Sequence, residues 1–418
     1  MGLRMTYRVV LLVAVVTTAG WVQEGRTQGN TYFVATNGSD GAAGTIGAPW
    51  QTISFAVARL RAGDTLYVRG GTYTGPANRI DSQDYMVASG TDLQTGAVTI
   101  AGYPGESATI VPPNNMACVR YATRTVAYVI VQDLHCDMSN STVSGGSTES
   151  GVNVSYGSHH NRFLRLEVKN NSGNGIGFGT NGGSSDFNEV IDCEIHHNGI
   201  TSAVNSGYGL YIDTSDNLFD GNRIHHNVGY GIHIYNFKSS AHRNIVRNNW
   251  VWGNGTGGGT NYGILYSQGS NGLVYNNVVY GNRGGIQVYT NSDAIGVFNN
   301  TVVSNSPMPG IALQYYTGAP RVQNNIVYRN ADGIRDFDGN AASQIDHNIM
   351  TDPSFQDFAN GDFSLTAGSI ARDTGVAVTN VTTDIARTPR PQGGLFDIGA
   401  YELGAASLTA PINLRVIR

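Results

Sequence analysis

The residues best suited to chemistry sit on short alternating segments in the middle of the chain. Eight segments open with Gly and an apolar residue: GVNVS at Gly151, GIGFG at Gly175, GLYID at Gly209, GIHIY at Gly231, GILYS at Gly263, GIQVY at Gly285, GIALQ at Gly310 and GIRDF at Gly333. Aligned on their Gly, they set Asn153, Gly177, Tyr211, His233, Leu265, Gln287, Ala312 and Arg335 in one column. Ser155, Gly179, Asp213, Tyr235, Ser267, Tyr289, Gln314 and Phe337 fall in a second. Alternate residues of a strand share a face, so both columns point away from the apolar one. With neighbouring strands ~4.8 Å apart, Tyr211, Asp213, His233, Tyr235, Gln287 and Tyr289 are expected to form a flat patch several strands long. Rings stack on the apolar faces of sugars, while amides and carboxylates bond hydroxyls. His233 is a candidate general base near neutral pH, with Tyr211 or Tyr235 as the acid. Arg335, Lys238 or a calcium ion held by Asp213 and Asp216 would neutralise a carboxylate on the ligand. That set suits the removal of an acidic proton beside a carboxylate.

A second series offers a competing surface. CEIHHN, NRIHHN, NWVWGN and NVVYGN place Lys169, His196, His225, Trp252 and Tyr280 in one outward column. Histidines on adjacent strands can bind a metal, although they more often stack as solvated rings. Trp250 and Trp252 flank Val251, so both face outward as a candidate aromatic platform for a sugar, unless a neighbouring loop covers them.

Elements of this kind need a scaffold that repeats with them. In the second series Cys193, Asn222, Asn249, Asn277, Asn300 and Asn325 align, and Ile195, Ile224, Val251, Val279, Val302 and Val327 follow two residues later. A unit of roughly two dozen residues cannot bury its apolar face alone, so coils must stack and share a core. An inward Asn at each bend satisfies backbone groups that the strands leave free, which makes this column scaffold. The 3.6-residue period of a helical solenoid is absent. Longer spacings around Gly199 to Ser206 and Gly255 to Asn261 predict inserted loops on either side of the coil carrying His233. The expected fold is all-β: a right-handed parallel β-helix with a short N-terminal helical cap near Ile53 to Arg61.

The 418 residues, only 13% charged, with 55 Gly and a net charge of −5, exclude collagen and give no basic footprint for nucleic acid. Arg4 and Arg8 before the apolar run Val9 to Val16 read as an export signal, so residues 1–28 are set aside and a secreted or periplasmic protein is expected. No later apolar run would hold the mature protein in a membrane. A Cys118–Cys136 bridge is compatible with export, leaving Cys193 free and buried. Residues 29–350 are assigned to the β-helix and its N-terminal cap, 351–404 to a module closing the opposite end, and 405–418 to a tail.

The opening GSDGAAGTIGAPWQTISFA with AGDTLYVRGGTY resembles the start of secreted bacterial β-helix proteins of the pectate-lyase-like superfamily. NGDFSLTAGS with RPQGGLFDIGAYE resembles the C-terminal module found on such proteins. The resemblance covers nearly the whole mature chain and implies action on an anionic polysaccharide, with β-elimination of a uronic-acid polymer as the leading expectation. It also implies a Lys base with calcium as an alternative, for which Lys238 is the candidate. The superfamily's epimerases and glycoside hydrolases, and a binding-only role, are the other readings. YGLYID shares Tyr208 and Gly209 with the Tyr-Gly-Phe-Asp-Pro-His motif of alginate epimerases, but no Asp-Pro-His follows. A hydrolase would need paired carboxylates, for which Asp213 with Asp192 or Glu194 is the available set. A monomer is expected.

Overall fold

The computed structural model describes residues 29–82, 87–142, 150–199, 207–236, 241–340 and 342–404. The export signal, the tail, Lys238 and most of the first inserted loop lie outside the described residues.

Three long parallel sheets wind around one another as a right-handed β-helix. Sheet 1 has 12 described strands, from Thr31–Val34 to Gln344–Asp346. Sheet 2 has 10, from Gly71–Thr74 to Ile326–Tyr328, and sheet 3 has 10, from Ile80–Asp81 to Ile334–Asp336. Strands of two to five residues suffice because each coil gains a neighbour above and below. Val168, Ile195, Ile224, Val251 and Val279 stack inward from sheet 2 in one register, and all are buried. Ile176, Leu210, Ile232, Ile264 and Ile286 do the same from sheet 3. They meet in one continuous apolar core.

The corners are held by asparagines, as expected, but in three ladders rather than one. In the expected column, the Asn249 Oδ1 accepts from the Asn222 backbone N–H at 2.9 Å and from its Nδ2 at 2.9 Å. The Asn249 Nδ2 then donates to Asn277 Oδ1 and Phe219 O, each at 2.9 Å. A second ladder runs Asn198, Asn227, Asn254, Asn282, Asn305, and a third runs Asn161, Asn188, Asn217, Asn244. Cys193 stands in the Asn position of the expected column and still donates its backbone N–H to Asn222 Oδ1 at 2.9 Å.

The N-terminal helix is shorter than expected, Ile53–Val57. It closes on a tightened turn in which the Arg59 N–H donates to Ala56 O at 2.9 Å, and beyond it the Asp64 carboxylate accepts the N–H groups of Arg61 at 2.8 Å and Asn30 at 2.7 Å. Ile53, Ala56, Val57 and Leu60 are buried against the first coils, covering that end of the core. The Cys118–Cys136 bridge is not formed; Cys118, Cys136 and Cys193 are buried free thiols.

Residues 351–404 do not sit over the far end as a plug. Val378, Val381 and Phe396 pack on Tyr275 and Phe298 of sheet 1, while Phe363 and Ala400 pack on Val278 and Val303 of sheet 2. Asn276, Asn299 and Asn324, at the corner between those sheets, donate side-chain N–H groups to Thr383 O, Asp397 O and Val376 O at 2.6, 2.9 and 2.7 Å. The outward apolar side chains of sheets 1 and 2 outcompete the open end for the module. The inward Ile345 of the last coil stays 38% exposed as a result. Among the described residues, no helix is long and apolar enough to cross a membrane.

Candidate functional site

The module clads the later strands of sheets 1 and 2, and the outward face of sheet 3 carries the expected columns. Eight of its ten strands open on a Gly, because the corner presses on the strand beneath. A Cβ at Gly231 would lie 2.6 Å from Val251 Cγ1 and 2.7 Å from Gly263 O. The register confirms the expected column: Asn153, Gly177, Tyr211, His233, Leu265, Gln287, Ala312 and Arg335 pair in succession. Ser267, Tyr289 and Gln314 align in the second.

Tyr211, His233 and Tyr235 come together around one imidazole. The His233 ring lies parallel to Tyr230 at 4.6 Å and to Tyr235 at 5.3 Å, each within 9°. Tyr208 and Tyr211 approach it at 4.5 and 5.3 Å. Tyr208 and Tyr230 were not among the expected site residues. Their signal was present: each immediately precedes a strand-opening Gly, so the corner swings the ring over the first outward residue of the strand.

This cover changes the chemistry of the site. His233 is only 8% exposed, and its Nδ1 has no hydrogen-bond partner among the described residues. Burial pushes its pKa down from 6.5 to about 3, so the ring is neutral at ordinary pH and a weaker base than expected. Burial, with Asp213 nearby, pushes the Tyr211 hydroxyl up to about 12, keeping it protonated. Tyr208 and Tyr230 are raised by burial as well.

The other expected residues are dispersed. Leu265, 2% exposed, separates His233 from Gln287, and Tyr289 lies beside Tyr315 at 5.7 Å. Arg335 stands on the last coil, bound to Asp332 at 3.1 Å and lying over the Phe337 ring, too far from His233 to share a sugar with it. Trp252 belongs to sheet 2, where it stacks between His225 at 4.2 Å and Tyr280 at 5.9 Å, so it does not join the His233 patch. Trp250 faces outward too, but Phe363 of the C-terminal module lies 6.2 Å from its ring, which removes it as a platform.

The expected calcium pair does not fit. Both Asp216 oxygens accept from Arg243, at 2.6 and 2.7 Å, at the corner leading into sheet 1. Asp213 is half-buried and its backbone carbonyl accepts from the Asn236 side chain. Among the described residues, the one cluster of three or more His, Cys, Asp or Glu ligand atoms is His196, His197 and His225 on the sheet 2 side.

A concavity of about 460 Å³ lies elsewhere, near the N-terminal coils, lined by Tyr67, Tyr103, Glu106, Asp133, His135 and Arg165. Its charges are matched, Arg165 with Asp133 at 2.6 Å and Glu106 with Arg69 at 2.5 Å, and His135 Nδ1 lies 2.8 Å from Glu167.

Comparison with known proteins agrees with this architecture. The family described as "Pel9A-like, right handed beta helix region" matches residues 32–343. Pectate lyase PEL9 of Emericella nidulans is 45% identical over 78 residues, 19% of this chain and 17% of that protein. The alignment thus spans under a fifth of that relative's length. The crystal structure of pectate lyase Pel9A superposes with a TM-score of 0.65 at 16% identity, over 90% of this chain and 97% of that one. A structure of XylC with xylose superposes with a TM-score of 0.57 at 10% identity, over 89% and 98% of the two chains. At these identities the likeness is one of fold.

Proposed function

The chain belongs to the Pel9A-like right-handed β-helix family, and from that premise we propose that it is an exported, monomeric polysaccharide lyase acting on a uronic-acid polymer at the outward face of sheet 3. The observation that carries this reading is the ring-lined patch of Tyr208, Tyr211, Tyr230 and Tyr235, with the His233 imidazole buried at its centre. Tyrosine rings stack on sugar faces and their hydroxyls bond the polar edges, while the buried imidazole holds the rings in place.

In β-elimination a base takes the proton beside the uronate carboxylate. The electron pair forms a C=C bond, and the glycosidic oxygen on the next carbon leaves with a proton from an acid. Burial suits His233 to positioning the tyrosine rings rather than to the base step, because a base is most effective when its pKa lies near the working pH. Lys238, two residues beyond Asn236 in sequence, is the proposed base, with Tyr235 or Tyr211 beside the leaving oxygen. Asp213, Gln287 and Tyr289 are proposed to contact the polymer along the face. No step is drawn through calcium, since Asp216 is committed to Arg243.

The test is incubation with polygalacturonate, alginate and glycosaminoglycans while following ultraviolet absorbance of the new C=C bond. Absorbance growth with one uronan supports the lyase. None with any of them, together with saturable binding of one, gives the second reading: a carbohydrate-binding β-helix, which the low basicity of His233 favours.

A further inference from the structure

Sheet 2 ends, on the other side of the corner from the His233 patch, in paired histidines on adjacent coils. His196 closes the strand Glu194–His196 and His225 closes Arg223–His225, and the two are register partners. Their rings stack at 4.8 Å within 7°. The next residue in each coil, His197 or His226, adopts a left-handed backbone at φ 54° or 53°. That turn swings its ring back beside the first, so Nδ1 of His196 lies 2.6 Å from Nδ1 of His197, and Nδ1 of His225 lies 2.8 Å from Nδ1 of His226. One ring nitrogen from each of His196, His197 and His225 lies within 4.8 Å of the other two.

Carboxylates stand behind the cluster. Nε2 of His196 lies 3.1 Å from Glu167 Oε1, and Nε2 of His225 lies 3.2 Å from Glu194 Oε1. An ionised carboxylate only accepts, so both Nε2 atoms carry the proton and both Nδ1 atoms present lone pairs. A histidine whose far nitrogen is fixed by a carboxylate is the usual state of a metal-ligating imidazole.

We propose that His196, His197 and His225 form a binding site for a borderline divalent transition-metal ion, of which Zn²⁺ is the type, with Glu167 and Glu194 orienting the ligands. Nitrogens bind Zn²⁺ at about 2.1 Å, so tetrahedral ligands stand about 3.4 Å apart, and the cluster closes on an ion by shifts on the order of an ångström. His197 moves its proton from Nδ1 to Nε2 on binding, which leaves its charge unchanged. The imidazole donor set selects zinc, copper or nickel over calcium or magnesium.

A comparison within the molecule separates this site from an ordinary histidine pair. His159 and His160 make the same Nδ1 to Nδ1 contact at 2.8 Å, but the ring stacked on His160 from the next coil is Phe187, at 4.9 Å, which offers no nitrogen.

The experiment uses the tag-free full chain, stripped with EDTA and titrated with Zn²⁺ alone by calorimetry, then with Co²⁺ while recording its visible spectrum. One ion per chain is expected, with the intense Co²⁺ bands of a four-coordinate site. His196→Asn and His225→Asn are expected to weaken binding at least tenfold, and Glu167→Gln about tenfold. His197→Asn is the variant that keeps the fold, since Asn170 occupies the equivalent left-handed corner at φ 61°, and it too is expected to lose at least tenfold. His159→Asn is expected to bind as the parent does. Absence of saturable Zn²⁺ binding, or unchanged affinity in His197→Asn, overturns the assignment.

Discussion

The His233 imidazole lies face to face with the Tyr230 ring, centroids 4.6 Å apart and planes within 9°. Tyr230 reaches this place from the corner before the strand, and its hydroxyl donates to Thr260 O of the next coil at 3.2 Å. The stack dries His233 and ties its protonation to folding. Its pKa falls from 6.5 to about 3, so between those values the unfolded chain binds the extra proton and stability rises with pH. The contribution is complete above about pH 6.5 and is lost as pH falls toward 3, for a total on the order of 5 kcal/mol. In urea titrations from pH 7 to pH 4, His233→Phe should keep the stack and lose much less stability than the parent. Parallel pH profiles for the two proteins would show that His233 is not buried in this way.

The roles of Lys238 and His233 separate in kinetics. Loss of a general base costs roughly 10²–10⁴ in rate, so Lys238→Ala should lower kcat by at least about a hundredfold on the active uronan. His233→Phe, which keeps the tyrosine rings stacked, should leave kcat and KM within a few fold. A kcat collapse in His233→Phe with full activity in Lys238→Ala would reverse the assignment.

Asp216 is expected to be dispensable for activity. Its partner Arg243 is largely exposed, so Asp216→Ala should cost under about 1 kcal/mol in a chemical melt and leave turnover unchanged. A loss of turnover restored by added calcium would show that the carboxylate leaves Arg243 for a metal.

The Asn ladders carry stability. Asn249→Ala strips the Asn222 N–H groups and Phe219 O of buried partners, each worth about 1–3 kcal/mol, so a loss of about 3 kcal/mol or more is expected in urea unfolding. The same change at the half-buried Asn330, near the open end, should cost less than half as much.

Phe363 pins the C-terminal module to the solenoid between Tyr280 at 5.3 Å and Trp250 at 6.2 Å. Phe363→Ala should cost about 3 kcal/mol, shift Trp250 fluorescence to the red and make residues 351–404 the first to be cleaved by protease. Unchanged fluorescence would place the module elsewhere in solution.

The sequence by itself determined the solenoid, its register and the outward columns. Period-2 alternation, the Gly that opens eight strands of sheet 3 and the corner Asn residues are local signals, and stacking repeats them from coil to coil, so Tyr211 and His233 had to be neighbours. Two things required the tertiary structure. The basicity of His233 depends on how far Tyr208 and Tyr230 lean over it, which is set by the angle of the corner and not by residue type. The cladding of sheets 1 and 2 depends on a return of the chain that joins Arg387 to Asp220 at 2.8 Å, across 167 residues. No local pattern encodes such a contact, because apolar side chains on an outward face look alike whether water or a distant segment will cover them. That same cladding took Trp250 out of the candidate site.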